Sequence, residues 1–583
     1  MKKIFKSIRP SPPKKKISFL KSKTETAKHP LHIIPFGGCG EFGMNLTCYV
    51  SNKRFIVVDA GSVFPEAKKL GVSSLIPHVK HNFPKLGKLE AYVVTHGHED
   101  HIGALAFLYN EMPAPIYATP WTAELIKRKF ERYNFAKPKI HVVRAGDKVT
   151  CFPFTVEYIH VNHSIPDACA LYIKVSGAKV FHSGDFKIDK TPPDNKKINY
   201  KQIERIKNEG ITALLTDSTN SLSPGYGPSE MSVVKPLEKV IQRHKDGRVF
   251  IATFASNYWR VKSIIDICHR LKKKLFIDGR GLNDSLSLAE KIGMLKVPKD
   301  VLVTRQNLSK VNRKNLVVLA TGSQGEERSS LYRIANKEHK LFSVDKNDLF
   351  IFSARAIPGN EKGILKLTDE ILREGASIVN AKVNPDIHVS GHAYQDELKT
   401  LIKLVKPQYY IPVHGTYSLL LTNANLAQEV SRTIQPVLLE NGEDILISND
   451  KVTKKKNVKL KFERYYVDSE SNHPISEETL NERLQIGELG LVNVFGVMKA
   501  QSKKWLKGPF LEFKGLSKTG NAKNANLPQK VQQEFMKELS AYLAKKKTVK
   551  TKEVEKESIG ILRSVLAKFY NKRPVVLCKI ISV

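Results

Sequence analysis

Seven consecutive residues limit what this chain can fold into: Thr95-His96-Gly97-His98-Glu99-Asp100-His101. An apolar run at 91–94 precedes them and reads as a buried strand; residues 102–108 follow and read as the start of a helix. Three imidazoles and a carboxylate therefore gather at the C-terminal end of a strand, where open α/β sheets hold their ligands. His96 and His98 alternate and can point one way, while Asp100 and His101 enter the helix and face a second point. One loop can thus serve two metal ions. Imidazole with carboxylate suits zinc or manganese rather than calcium. A merely solvated polar loop would not need four potential ligands within six residues, nor Gly97 to turn the chain.

Further candidates recur at strand ends. His163 follows an apolar run at 155–161, and next to the 96–101 loop it becomes the expected third ligand of the first metal. Asp185 closes the run 179–184 and could bridge two cations. His414, in Pro412-Val413-His414-Gly415, brings the set to five His and two Asp, which fits two cations sharing a carboxylate. Asp217 ends another strand. Asp59 either orients a ligand histidine or caps a turn. The glycine-rich stretch at 37–43 is expected to serve close backbone packing beneath the site rather than phosphate binding. Residues 221–380 read as a second α/β unit. Its loops Ala255-Ser256-Asn257 and 321–326 either offer N–H groups to phosphate or are plain turns. His388-Val389-Ser390-Gly391-His392 then precedes a helix.

A length of 583 residues exceeds one core and implies several domains. The formal net charge of +38 is more than solubility requires; it points to a polyanion, nucleic acid before an anionic membrane. The six cysteines form no CxxC pair and read as buried thiols of a reducing compartment. No apolar run approaches a membrane span and the basic N-terminus lacks an apolar core, so a cytoplasmic protein without membrane contact is expected. Residues 1–28 carry ten Lys or Arg against one Glu and read as a disordered arm, either binding RNA or a partner or simply solvated. Val531, Phe535, Leu539 and Leu543 mark a helix in a small C-terminal α+β unit, and 553–570 a second one.

The 96–101 loop with His163, Asp185 and His414 resembles the metallo-β-lactamase motif set. The inserted α/β unit, with Asp217, His392 and His414 at its limits, is similar to the β-CASP nucleic-acid-processing branch. The phrases at 40–45, 321–326, 358–361 and 388–392 resemble the ribonuclease J family, from about residue 31 to the C-terminus. Glu327-Arg328-Ser329-Ser330 and the stretch 466–471 depart from that family's pattern. The resemblance implies an αββα sandwich at 29–220 and 381–450, an inserted β-CASP domain at 221–380, a linker at 451–465 and a C-terminal α+β domain at 466–583. It implies His96, His98 and His163 on one divalent ion, Asp100, His101 and His414 on another, and Asp185 on both, with zinc first and manganese second.

In that frame Asp100 or Asp185 accepts a proton from the attacking water, Asp217 supports the site or takes part in proton transfer, and His392 neutralises charge. Val389, Ser390, Gly391 and His392 hold a phosphate. Ser256, Asn257 and His388 line a pocket for the RNA 5′ end. The implied activity is 5′-to-3′ exonuclease and endonuclease cleavage of single-stranded RNA, with preference for 5′-monophosphate ends, in rRNA maturation and mRNA decay. Implied partners are a second copy or a tetramer, and the ribosome or other RNA-decay proteins. A nuclease of DNA, a hydrolase of small esters and an inactive RNA-binding scaffold are the alternatives.

Overall fold

Alternation of apolar residues builds two facing sheets. This computed structural model describes residues 29–583 apart from 65–69, 176, 358, 449, 461, 500, 517–525 and 571–572; the basic arm lies outside the described residues. They form two compact units, one of residues up to 66 with 75–464, the other of 67–74 with 465–583.

In the first unit an eight-stranded sheet runs in the order Lys451–Lys459, Glu443–Ser448, Leu31–Gly37, Leu46–Ser51, Arg54–Val58, Lys88–Val93, Ile116–Ala118, Ile140–Val142. A seven-stranded sheet runs Gln435–Pro436, Tyr409–Val413, Ala213–Asp217, Ala178–His182, Cys169–Val175, Phe154–His160, Lys148–Cys151. Ile33, Tyr49, Ile56 and Val93 from the first sheet meet Tyr158, Leu171, Val180 and Leu215 from the second in one core. Neighbouring residues in the strands point outward: Ile159, Tyr172, Phe181 and Leu214 bury against Ile203, Ile206, Leu398 and Leu401 of covering helices. Lys451–Lys459 falls in the stretch read as a linker. It is a strand instead, paired antiparallel with Glu443–Ser448 at the sheet edge. Lysines are compatible with that place, because charge on an edge strand discourages further pairing.

The inserted portion carries its own all-parallel sheet, ordered Lys274–Asp278, Leu316–Ala320, Val249–Ala252, Leu349–Phe352, Ser377–Asn380. Its strands are apolar on both faces, as a sheet covered on both sides requires. Ile251, Val317 and Ile351 face one helical layer; Phe250, Val318 and Phe350 face the other.

In the second unit, Leu491–Lys499 is flanked antiparallel by Lys504–Lys514 and parallel by Val575–Ser582. Helices Leu527–Ala544 and Thr551–Phe569 cover it, and Val531, Phe535, Leu539 and Leu543 are all buried in that core. No described helix is long and apolar enough to cross a membrane. Among the cysteines, all six are free thiols and five are buried.

Candidate metal centre

The ligand loop leaves the strand Lys88–Val93, and its last two candidate ligands lie in the short helix Glu99–Ile102. Beneath it, Asn45 donates from its backbone N (3.0 Å) and from Nδ2 (3.1 Å) to the Asp100 carbonyl. Only glycine fits at 61, where an added Cβ would stand 1.7 Å from that same carbonyl oxygen. The glycine-rich stretch is close-packed as well, as its sequence implies: a Cβ on Gly37 would stand 1.7 Å from the Met44 carbonyl oxygen, and the Gly38 carbonyl accepts from the His414 backbone N at 2.6 Å.

Asp185, His96, His98 and His163 bring ligand atoms within 4.8 Å of one another, and Asp100, His101, Asp185 and His414 do the same. Asp185 belongs to both groups. A third group of this kind joins Asp185, Asp217, His392 and His414. His98 Nδ1 lies 3.1 Å from His96 Nε2 and 3.0 Å from His163 Nε2. The far nitrogen of most of these rings is anchored. His101 Nδ1 hydrogen-bonds Asp59 Oδ2 at 2.7 Å, His163 Nδ1 the Gly391 carbonyl at 2.8 Å, and His96 Nδ1 the Thr95 hydroxyl at 3.0 Å. Asp59 also accepts from Thr95 N and Oγ1, both at 2.8 Å. It thus orients the candidate ligand His101, one of its two readings. Asp59→Asn should lower metal affinity about 10–100-fold, measured as zinc retained against a chelator, with the fold intact by circular dichroism; unchanged retention would reject that role.

Does the donor set fit a cation? Asp185 Oδ2 is buried without a hydrogen bond, as is His98 Nε2. Around Asp185 Oδ2 stand His101 Nε2 at 3.2 Å, His96 Nε2 at 3.7 Å, and His163 Nε2 and His392 Nδ1 at 3.8 Å. A buried carboxylate oxygen facing four imidazoles without bonding any of them is poor as protein alone and good as a shared ligand. The set fits divalent metal.

Electrostatics divide the histidines. Burial, with the neighbouring imidazoles, pushes His96 and His163 well below the usual range, and burial pushes His98 down to about 4. Those three rings are held neutral, the state a metal ligand requires. Burial also opposes charge on His101 and His414, but Asp185 and Asp100 outweigh it and raise both. His392 is raised too: burial opposes, while Asp217, bonded to its Nδ1 at 2.7 Å, and Asp185 prevail.

The loop after the inserted portion is tied to this cluster. Asn220 donates to Ser390 Oγ (2.8 Å) and the His392 carbonyl (3.1 Å), and Lys187 Nζ to the Ser390 carbonyl (3.1 Å). Ser390, Gly391 and His392 thus join the His/Asp cluster, with Val389 buried beside them. His388 and Asn257 gather elsewhere, around buried Arg260. Asn257 accepts from the Arg260 backbone N at 3.1 Å and caps the helix Tyr258–Arg270. His388 Nδ1 and Arg260 Nη1 meet at the Ser353 carbonyl, 3.3 and 3.2 Å away. Burial, with Arg260, takes His388 down to about 3, so it stays neutral. Ser256 is exposed in the turn before that helix. Sequence reasoning missed Lys187, Arg260 and Asn220, which no spacing marks, and Asn45, which lies in the phrase at 40–45.

Four family models match in chain order: the beta-lactamase superfamily domain at 54–206, the ribonuclease J beta-CASP domain at 246–371, the Zn-dependent metallo-hydrolase RNA specificity domain at 378–437 and the ribonuclease J C-terminal domain at 478–583. Ribonuclease J of Helicobacter pylori (strain B128) is 31% identical over 95% of this chain and 79% of its own length. The chain belongs to the ribonuclease J family. Ribonuclease J of Mycobacterium tuberculosis (strain H37Rv) is 35% identical over 84% of this chain and 88% of its own. A crystal structure of a protein of unknown function from Enterococcus faecalis V583 matches with TM-score 0.51 at 14% identity, over 72% of this chain and all of that one; it shows the fold alone. The fold is therefore a metallo-β-lactamase domain with an inserted β-CASP domain and a C-terminal domain, and the enzyme is a β-CASP nuclease of RNA. Its buried His/Asp cluster suits divalent metal.

Proposed function

We propose a ribonuclease that cleaves single-stranded RNA both from the 5′ end and internally, prefers 5′-monophosphate ends, and acts in rRNA maturation and mRNA decay in the cytoplasm. Its domain limits follow the reading at 29–220 with 381–450, 221–380 and 466–583. His96, His98 and His163 would hold one zinc, Asp100, His101 and His414 the other, and Asp185 both. The observation that carries this reading is the place of one loop: the Gly391 carbonyl bonds His163 of the first ligand group, and Ser390 and His392 flank it, where they would meet a phosphate brought to the metals.

Bound cations would supply Lewis acidity, making hydroxide available near neutral pH and offsetting phosphate charge. The chain's own groups do the rest. Asp100, with a 31% exposed side chain, can pass the water's proton to solvent. His392, kept cationic by Asp217, neutralises charge growing on the phosphate oxygens. Ser390 Oγ accepts from Asn220 and keeps its own proton for a phosphate.

A 5′-monophosphate held by Ser390 and His392, with Ser256, Asn257 and His388 completing its pocket, would set one nucleotide at the metals, and a bulkier triphosphate would be excluded. Ser390→Ala should slow digestion of 5′-monophosphorylated RNA roughly tenfold or more at normal metal content, since one bond to a charged group is worth about 1.5–3 kcal/mol. Wild type should degrade that RNA faster than its triphosphorylated twin. Equal rates on both, unchanged by Ser390→Ala, would remove the pocket. Equal or better cleavage of a matched DNA oligomer would overturn the RNA preference.

A further inference from the structure

Away from the catalytic cluster, one other group of side chains among the described residues has the composition and spacing of metal ligands. His78 closes the strand Val72–His78, His81 follows three residues later, and Glu463 opens the strand Glu463–Asp468. Their ligand atoms lie within 4.8 Å of one another. We propose that His78, His81 and Glu463 form a further transition-metal site, separate from the catalytic pair, that binds zinc or a similar ion.

Local structure brings the two imidazoles together. The amides of Asn82 and Phe83 both donate to the Val79 carbonyl at 2.9 Å, closing a turn that carries His81 back beside His78. The two rings stand edge to face with centroids 5.1 Å apart. Glu463 reaches in from 385 residues along the chain, its Oε2 3.0 Å from His78 Nδ1. Bonds of about 2.0–2.1 Å to a tetrahedral ion put ligand atoms roughly 3.3 Å apart, so small side-chain rotations bring this trio into one coordination sphere. A His–Glu ion pair alone would explain Glu463 and His78, but it gives no reason for the second imidazole. Two nitrogens and one carboxylate select zinc, cobalt or nickel over calcium and magnesium. His78 is buried, Glu463 half-buried and His81 exposed, so three protein ligands leave a fourth position open to water. An ion here would tie the end of one strand to a residue two positions before the second unit's chain resumes at Tyr465.

The test is zinc per chain, by elemental analysis after equilibrium dialysis of the full chain against micromolar zinc chloride. Wild type should hold about three ions and His81→Ala about one fewer, with RNA cleavage unchanged. Glu463→Gln should lose the same ion. His81 is exposed, so His81→Ala tests the site without threatening the fold. In cobalt-loaded protein, the wild-type minus His81→Ala difference spectrum should show the visible bands of a four-coordinate ion. Equal zinc content in wild type and both variants would overturn the proposal. Should wild type hold about two ions and His81→Ala about one, the two-ion reading of the catalytic cluster would fail and this site would stand.

Discussion

Asp185→Asn should reduce RNA cleavage by about a thousandfold or more, the effect expected when a group stabilising the transition state is neutralised at the reacting centre. Asparagine keeps the shape and removes the charge. Asp185 Oδ1 pairs with His414 Nδ1 at 2.8 Å, and its other oxygen faces His96, His101 and His163. Removing that charge deprives both ligand groups of their common anion, so bound zinc should fall along with rate. Elemental analysis and single-turnover cleavage on the same preparation check both. A variant that kept full metal and wild-type cleavage would show that Asp185 is not the shared ligand.

The second large effect is on stability. Arg260 is fully buried, with Nε 2.8 Å and Nη2 3.2 Å from the carboxylate of Glu230, itself 7% exposed. Glu230→Ala leaves a guanidinium in the interior without its anion, which costs about 3–5 kcal/mol. For the unit of residues up to 66 with 75–464 the melting temperature should drop by about 3–5 °C. Glu230→Leu combined with Arg260→Met should be more stable than Glu230→Ala, because no charge is then buried. Differential scanning calorimetry distinguishes these; an unchanged melting temperature in Glu230→Ala would mean that water reaches Arg260. Arg260 Nη1 also donates to the Ile387 carbonyl at 3.2 Å, one residue before the loop that carries Ser390 and His392, so the single variant should slow cleavage as well.

The ligand set was legible because its chemistry is local: histidines and aspartates at the ends of apolar runs announce themselves in sequence. The strands around them were legible because both faces of the inserted sheet are apolar and the sandwich strands alternate. What stayed hidden was side-chain reach. Nothing about Lys187 indicates that its ammonium meets the Ser390 carbonyl 203 residues on. Asn257 sits in a loop that reads either as a phosphate cradle or as a plain turn, and its carboxamide caps its own helix, which an asparagine before a helix can always do. The lysines at 451–459 looked like a tether because charge hides a strand when the strand lies at an edge.

His414 stands at the end of the strand Tyr409–Val413, which pairs in parallel with Ala213–Asp217 nearly two hundred residues earlier. During synthesis, then, the loop at 96–101, His163 and Asp185 leave the ribosome well before their last companion. Until the inserted domain and the strand after it have emerged, the second ligand group lacks an imidazole and Asp185 lacks its closest partner. A chain abandoned before residue 414 would carry the first group but not the whole centre. An RNA-cutting enzyme made beside its own messenger would thereby stay inert until it is nearly complete.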